Sequence, residues 1–171
     1  MLKQNIKSKI NKYKKFWNKV KVNRPLHGVD IRGYFPLKEY IDLNNENHKL
    51  RPNLIQPEVC LNVCKKIINT CENINDDLIR GIAPPSFIPW LECMLGCSAK
   101  ISAESKSIWP QAKNAKWNEL EDLKLREDNE WFLKLVDFYK ILTKKTDNIY
   151  PVSQPTLRGV SDLIGSLRGH D

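Results

Sequence analysis

The 171-residue chain is 41% hydrophobic and 28% charged, with 28 basic and 20 acidic side chains, a composition that fits a globular protein and excludes the disordered class. No apolar run approaches the ~20 residues that span a bilayer, and no apolar signal-peptide core opens the chain, so a cytoplasmic protein is expected. The net charge of +8 is local: residues 1–24 hold eight Lys and one Arg with no carboxylate, and the remainder is nearly balanced. That distribution, with no groove-reading motif beside it, argues against a nucleic-acid partner.

Residues 1–23 form the first unit. Leu2, Ile6, Ile10, Tyr13, Trp17 and Val20 recur at steps of three and four, which predicts an amphipathic helix with Lys on its other faces. Such a helix either packs its apolar stripe on the domain as a solvated outer helix or lies on an anionic surface. Residues 24–171 are expected to form one domain. Its first part is turn-rich at 23–28, has no clean period over 29–40, and reads as loop over 44–49 and 52–57.

Pro57 and Glu58 suit a helix start, and Val59, Cys60, Val63, Cys64, Ile67, Ile68 and Cys71 then make one apolar stripe. Five cysteines are an odd number in a chain with no sign of secretion, so reduced thiols are expected. No His or CxxC accompanies Cys60, Cys64 and Cys71, or the pair Cys93 and Cys97. They read as core thiols, and no metal is expected in this segment. Pro84 and Pro85 either end a strand near Ile82 or lie in the loop after it, and Gly96 stops a short helical piece over 91–97. Residues 99–108 are a second strand candidate, with Trp109-Pro110 at its exit. The charged stretch 118–129 is helix-prone. Trp131, Leu135, Phe138, Tyr139 and Leu142 predict a helix over 131–145, with Lys144 and Lys145 at the negative end of its dipole.

The most informative stretch follows. Residues 149–152 read as a short strand, 153–159 as a Pro/Gly-punctuated loop, and Val160, Leu163, Ile164 and Leu167 as a helix ending at Arg168-Gly169. Helix, strand, loop and helix in that order predict a parallel α/β sheet, whose ligands meet the loops leaving the carboxyl ends of strands. In this loop Arg158 has the planar fork that binds both oxygens of a carboxylate, Gln154 can orient a polar substrate, and Asp162 opens the next helix. These three are the candidate substrate-binding residues. No nucleotide loop, nucleophile elbow or HExxH motif is present.

The block Tyr150-Pro-Val-Ser-Gln-Pro-Thr-Leu-Arg-Gly-Val-Ser-Asp-Leu-Ile-Gly-Ser-Leu-Arg-Gly169 resembles the amino-terminal half of uroporphyrinogen decarboxylase-like proteins. Asp76-Asp77 with residues 82–96, including Pro89-Trp90 and Leu95-Gly96, is similar to an earlier block of that group, and Ile108-Trp-Pro110 fits its continuation. The resemblance implies a (β/α)8 barrel superfamily of porphyrinogen decarboxylases and of zinc-dependent methyltransferases that work with corrinoid proteins. Both chemistries use the carboxyl face of the barrel. A complete barrel takes about 250 residues, so the expected fold is a partial barrel with the amino-terminal helices and roughly the first three strands, from a truncated, split or longer gene product. The implied partner is a small-molecule carboxylate substrate or a corrinoid protein, and the unpaired sheet edge of a partial barrel is expected to promote association. The resemblance assigns no catalytic residue here, and it places any zinc ligands in the carboxyl half. A non-catalytic helical module docking through its basic first helix is the alternative from a different class.

Overall fold

The computed structural model describes residues 2–21, 23–29, 49–102, 107–147 and 149–169. Helix α1 (Leu2–Trp17) is followed by β1 (Lys49–Leu50), a 3-10 turn (Pro52–Leu54), α2 (Pro57–Thr70), α3 (Trp90–Met94), β2 (Ser98–Ser102), β3 (Ser107–Gln111), α4 (Trp117–Glu121), α5 (Glu130–Thr146) and α6 (Val160–Arg168). The fold mixes helix and sheet. No helix among the described residues is long and apolar enough to cross a membrane.

The predicted helix boundaries have local causes. Pro57 sits in the first turn of α2 with Glu58 beside it, where a missing N–H costs nothing and a negative charge meets the dipole. The Asn129 side chain caps α5 by accepting from the amides of Trp131 and Phe132. Gly169 ends α6 with φ 97°, and Gly96 follows α3 with φ 94°, a conformation that favours glycine because it has no Cβ.

The expected parallel sheet is corrected. Among the described residues the sheet is three-stranded in the order β1-β2-β3, and both pairings are antiparallel. The single strand expected over 99–108 is a hairpin, in which Ser98 faces Gln111 and Ser102 faces Ser107. Trp109 and Pro110 lie inside β3, not at a strand exit. Pro110 is tolerated because β3 is an edge strand of this sheet, where one side of the backbone has no ladder partner to lose. Lys49, read as loop, pairs with Lys100, and Leu50 beside it pairs with Ala99. Among the described residues, parallel pairing is confined to one bridge between Ile82 and Val152, inside the two segments expected as strands.

One core joins these parts. Leu50, Ile55, Cys60, Leu61, Ile82, Trp90, Ala99, Ile101, Ile108, Phe138 and Leu142 pack together, with α2 and α3 both against α5. Trp90 stands edge-on to Trp131 and Phe138, with ring centroids 6.1 and 5.6 Å apart. Its indole N–H donates to the Pro85 carbonyl at 2.9 Å, so its one polar group is satisfied. All five cysteines are free thiols, four buried and Cys64 half-buried. Burial pushes the Cys60 and Cys93 thiols up to about 12, since a thiolate would be stripped of water there.

Helix α1 departs from the stripe expected of it. Among its described side chains, from Ile6 onward, Ile6, Lys9 and Tyr13 are half-buried, whereas Ile10, Trp17 and Val20 are exposed. Two buried acids account for the rotation: Lys9 reaches Asp76 at 3.1 Å and Lys12 reaches Asp77 at 2.8 Å. The helix is thus held to the domain largely by ion pairs and only partly by its apolar stripe. The region 30–48, including most of the stretch read as lacking a clean period, lies outside the described residues.

Candidate functional site

Gly81 allows the Ile82–Val152 bridge to form. A Cβ there would stand 2.5 Å from the Pro151 carbonyl oxygen, so only glycine fits against that strand without a shift. The Ile82 amide then donates to the Pro151 carbonyl at 2.9 Å, and the Ser153 amide donates to the Ile82 carbonyl at 2.9 Å. Because the two segments run in the same direction, residues 83–89 and 153–159 leave from the same end. The loops are joined there by the Thr156 amide, which donates to the Ser86 hydroxyl at 3.2 Å.

Three elements meet at Arg158. Its Nε lies 3.5 Å from Glu92 Oε1, contributed by α3, and its guanidinium carbon is 5.8 Å from the centre of the Trp109 ring on β3. Glu92 is 1% exposed, yet neither of its oxygens has a hydrogen-bond partner among the described residues. Burial raises the neighbouring Cys93 and Cys97 thiols, and the Glu92 charge adds to both shifts. Cys97 instead acts as a neutral donor to the Ser166 carbonyl at 3.3 Å.

Arg158 is half-buried and paired, so of the three predicted substrate-binding residues it alone is built into a constellation. Gln154 and Asp162 are exposed. Gly159 occupies the cap position of α6 and supplies no side-chain cap. The sequence reading missed Glu92, although it is the single charged residue between Phe87 and Cys97.

A buried carboxylate without hydrogen bonds costs stability. Glu92→Met, which keeps the volume and removes the charge, is expected to stabilise the chain by about 1–3 kcal/mol in a denaturant titration. A destabilisation of similar size would show that the ion pair with Arg158 outweighs desolvation.

A pocket of about 230 Å³ lies between α1, the carboxyl end of α2 and residues 78–80, with Ile6, Ile68, Leu78 and Tyr150 in its wall. Tyr150 and Arg80 precede Val152 and Ile82, so this pocket opens at the amino ends of the bridged segments. Its cations are already engaged: Arg80 binds Asp76 through both oxygens at 3.0 and 2.6 Å, and Lys9 shares Asp76. The opposite end of the bridged segments carries the Arg158–Glu92 pair. Compared with known proteins, the chain matches no family model, no curated protein and no solved structure.

Proposed function

We propose that this chain is the amino-terminal portion of a uroporphyrinogen decarboxylase-like (β/α)8 barrel and that Arg158 anchors a substrate carboxylate. The observation that carries this reading is the parallel bridge of Ile82 with Val152, followed by two loops that leave its carboxyl end together. Parallel neighbours require a long crossover, and α3, the β2–β3 hairpin and α5 occupy the chain between them. Ligands of α/β folds bind at the carboxyl ends of such strands. The surface beside the loop fits the same reading: Leu157, Val160 and Ile164 are exposed there, as they would be where further βα units of a barrel pack.

In this reading Arg158 contributes binding and orientation. Glu92 holds its Nε edge and Trp109 flanks it, so the remaining guanidinium N–H groups can grip a carboxylate of a porphyrinogen. Gln154 and Asp162 border the same loop, and the groups that move protons and release carbon dioxide belong to the rest of the barrel.

The test is a titration of the chain with uroporphyrin as a polycarboxylate probe, read by tryptophan quenching. Because Arg158 is the charge partner of the buried Glu92, the comparison is made in the Glu92→Met background, where Arg158→Ala strands no buried charge and is expected to weaken binding by about 2–5 kcal/mol while leaving the melting temperature nearly unchanged. Parallel losses of stability and binding would make Arg158 structural. No binding by the unaltered chain would remove the carboxylate-site reading.

A further inference from the structure

The carboxyl-terminal tip of α1 is built apart from the Arg158 site. Asn18 donates to the Lys14 carbonyl, Lys19 to Phe16 and Val20 to Lys15, closing the helix in a turn with Lys19 at φ 55°. The last two bonds are those of a Schellman motif, which favours glycine at the left-handed position, yet here that position carries a cation. The turn folds Val20 back toward the last helical turn. Phe16 and Trp17 meet edge-to-face at 5.4 Å, and both are exposed, Trp17 by 74%. Lys14, Lys15, Lys19 and Lys21 surround them, all exposed, and no carboxylate occurs in residues 1–29.

We propose that this tip docks on an anionic lipid bilayer, with Phe16, Trp17 and Val20 entering the headgroup boundary and the four lysines facing the lipid charge. The shape of the patch selects this partner. Indole rings suit the polar–apolar boundary, and basic residues around an apolar anchor supply the second signal that stable membrane association needs. A nucleic acid would instead favour a row of rings on which successive bases stack, whereas these two rings are perpendicular and cover each other's edges. The inner side of α1 is held by Lys9 on Asp76 and Lys12 on Asp77, so the helix meets the bilayer by its tip while its length stays on the domain.

The experiment is co-sedimentation of the full chain with phosphatidylcholine vesicles containing phosphatidylserine, against phosphatidylcholine alone and against single-stranded and duplex DNA. Binding to the anionic vesicles is expected to weaken about fivefold for each lysine removed in a Lys14, Lys15, Lys19, Lys21→Gln series. It should also weaken sharply as salt rises from about 0.05 to about 0.5 M. Phe16→Ala with Trp17→Ala should lower binding at least tenfold at unchanged circular dichroism. Equal binding to neutral vesicles, binding that ignores the aromatic pair, DNA capture without vesicle capture, or no vesicle binding would each overturn the proposal.

Discussion

Asp76→Asn is expected to produce one of the largest stability losses in this chain, on the order of 3 kcal/mol, or a drop of roughly 6–12 °C in melting temperature. Asp76 is buried and accepts from Arg80 through both oxygens, from the Val29 amide at 3.0 Å and from Lys9 at 3.1 Å. Asparagine keeps the shape but leaves two cations, each more than four-fifths buried, without a counter-charge. Arg80 above all holds the Asp76 carboxyl below the ordinary aspartate range, against the opposing effect of burial, and Arg24 and Lys12 do the same for Asp77. The folded state therefore resists protons that the unfolded chain accepts. This stability is fully present above about pH 4, the ordinary aspartate value, and is lost as the pH falls below it. Chemical denaturation between about pH 6 and pH 3 should show a steep fall for the unaltered chain and a shallower one for Asp76→Asn. Identical slopes would mean that Asp76 is not held in its charged form.

Gly81→Ala should be the other severe substitution. Its Cβ would meet the Pro151 carbonyl oxygen at 2.5 Å and Pro151 Cγ at 3.1 Å. Both contacts lie on the partner strand, whose backbone would have to move. We expect a loss of about 2–4 kcal/mol from the clash and from the two hydrogen bonds of the bridge. Because the bridge aligns the loops, uroporphyrin binding should fall as well. Gly159→Ala is the matched control, since a Cβ there would meet nothing within 4 Å.

The sequence made some of this visible and hid the rest for identifiable reasons. Helices α2, α5 and α6 were legible because long apolar periods coincide with Pro57 at the start of α2, Lys144 and Lys145 in the last turn of α5 and Gly169 after α6. The hairpin was hidden because Ala103-Glu-Ser-Lys106 carries no Asn-Gly or Asp-Gly turn signal, and because Pro110 read as a strand end. Only the topology reveals that β3 is an edge, where that proline is harmless. The stripe of α1 was misplaced because periodicity weighs apolar side chains alone, whereas two buried acids some 65 residues away draw Lys9 and Lys12 inward.

Arg158 was legible as a cation in a loop that follows a strand, but its partners were not. Glu92 lies on α3 and Trp109 on β3, and nothing in their spacing places them beside residue 158. A lone carboxylate inside the apolar run from Phe87 to Cys97 was the available signal, since a charge is kept in such a run only where something outside it answers. The acidic pair at Asp76 and Asp77 offered a similar signal against the nine cations of residues 1–24.

The parallel register of Ile82 with Val152 aligns the two loops, and residue-resolved amide hydrogen exchange tests it most directly. The Ile82 and Ser153 amides donate the two bonds of that bridge, and both are expected to exchange with protection close to that of the core amides of α5. In Gly81→Ala both should lose protection together while the β2–β3 hairpin keeps its own. Exchange of Ile82 and Ser153 at the unprotected rate in the unaltered chain would contradict the pairing, and with it the alignment of loops that places Arg158 against Glu92.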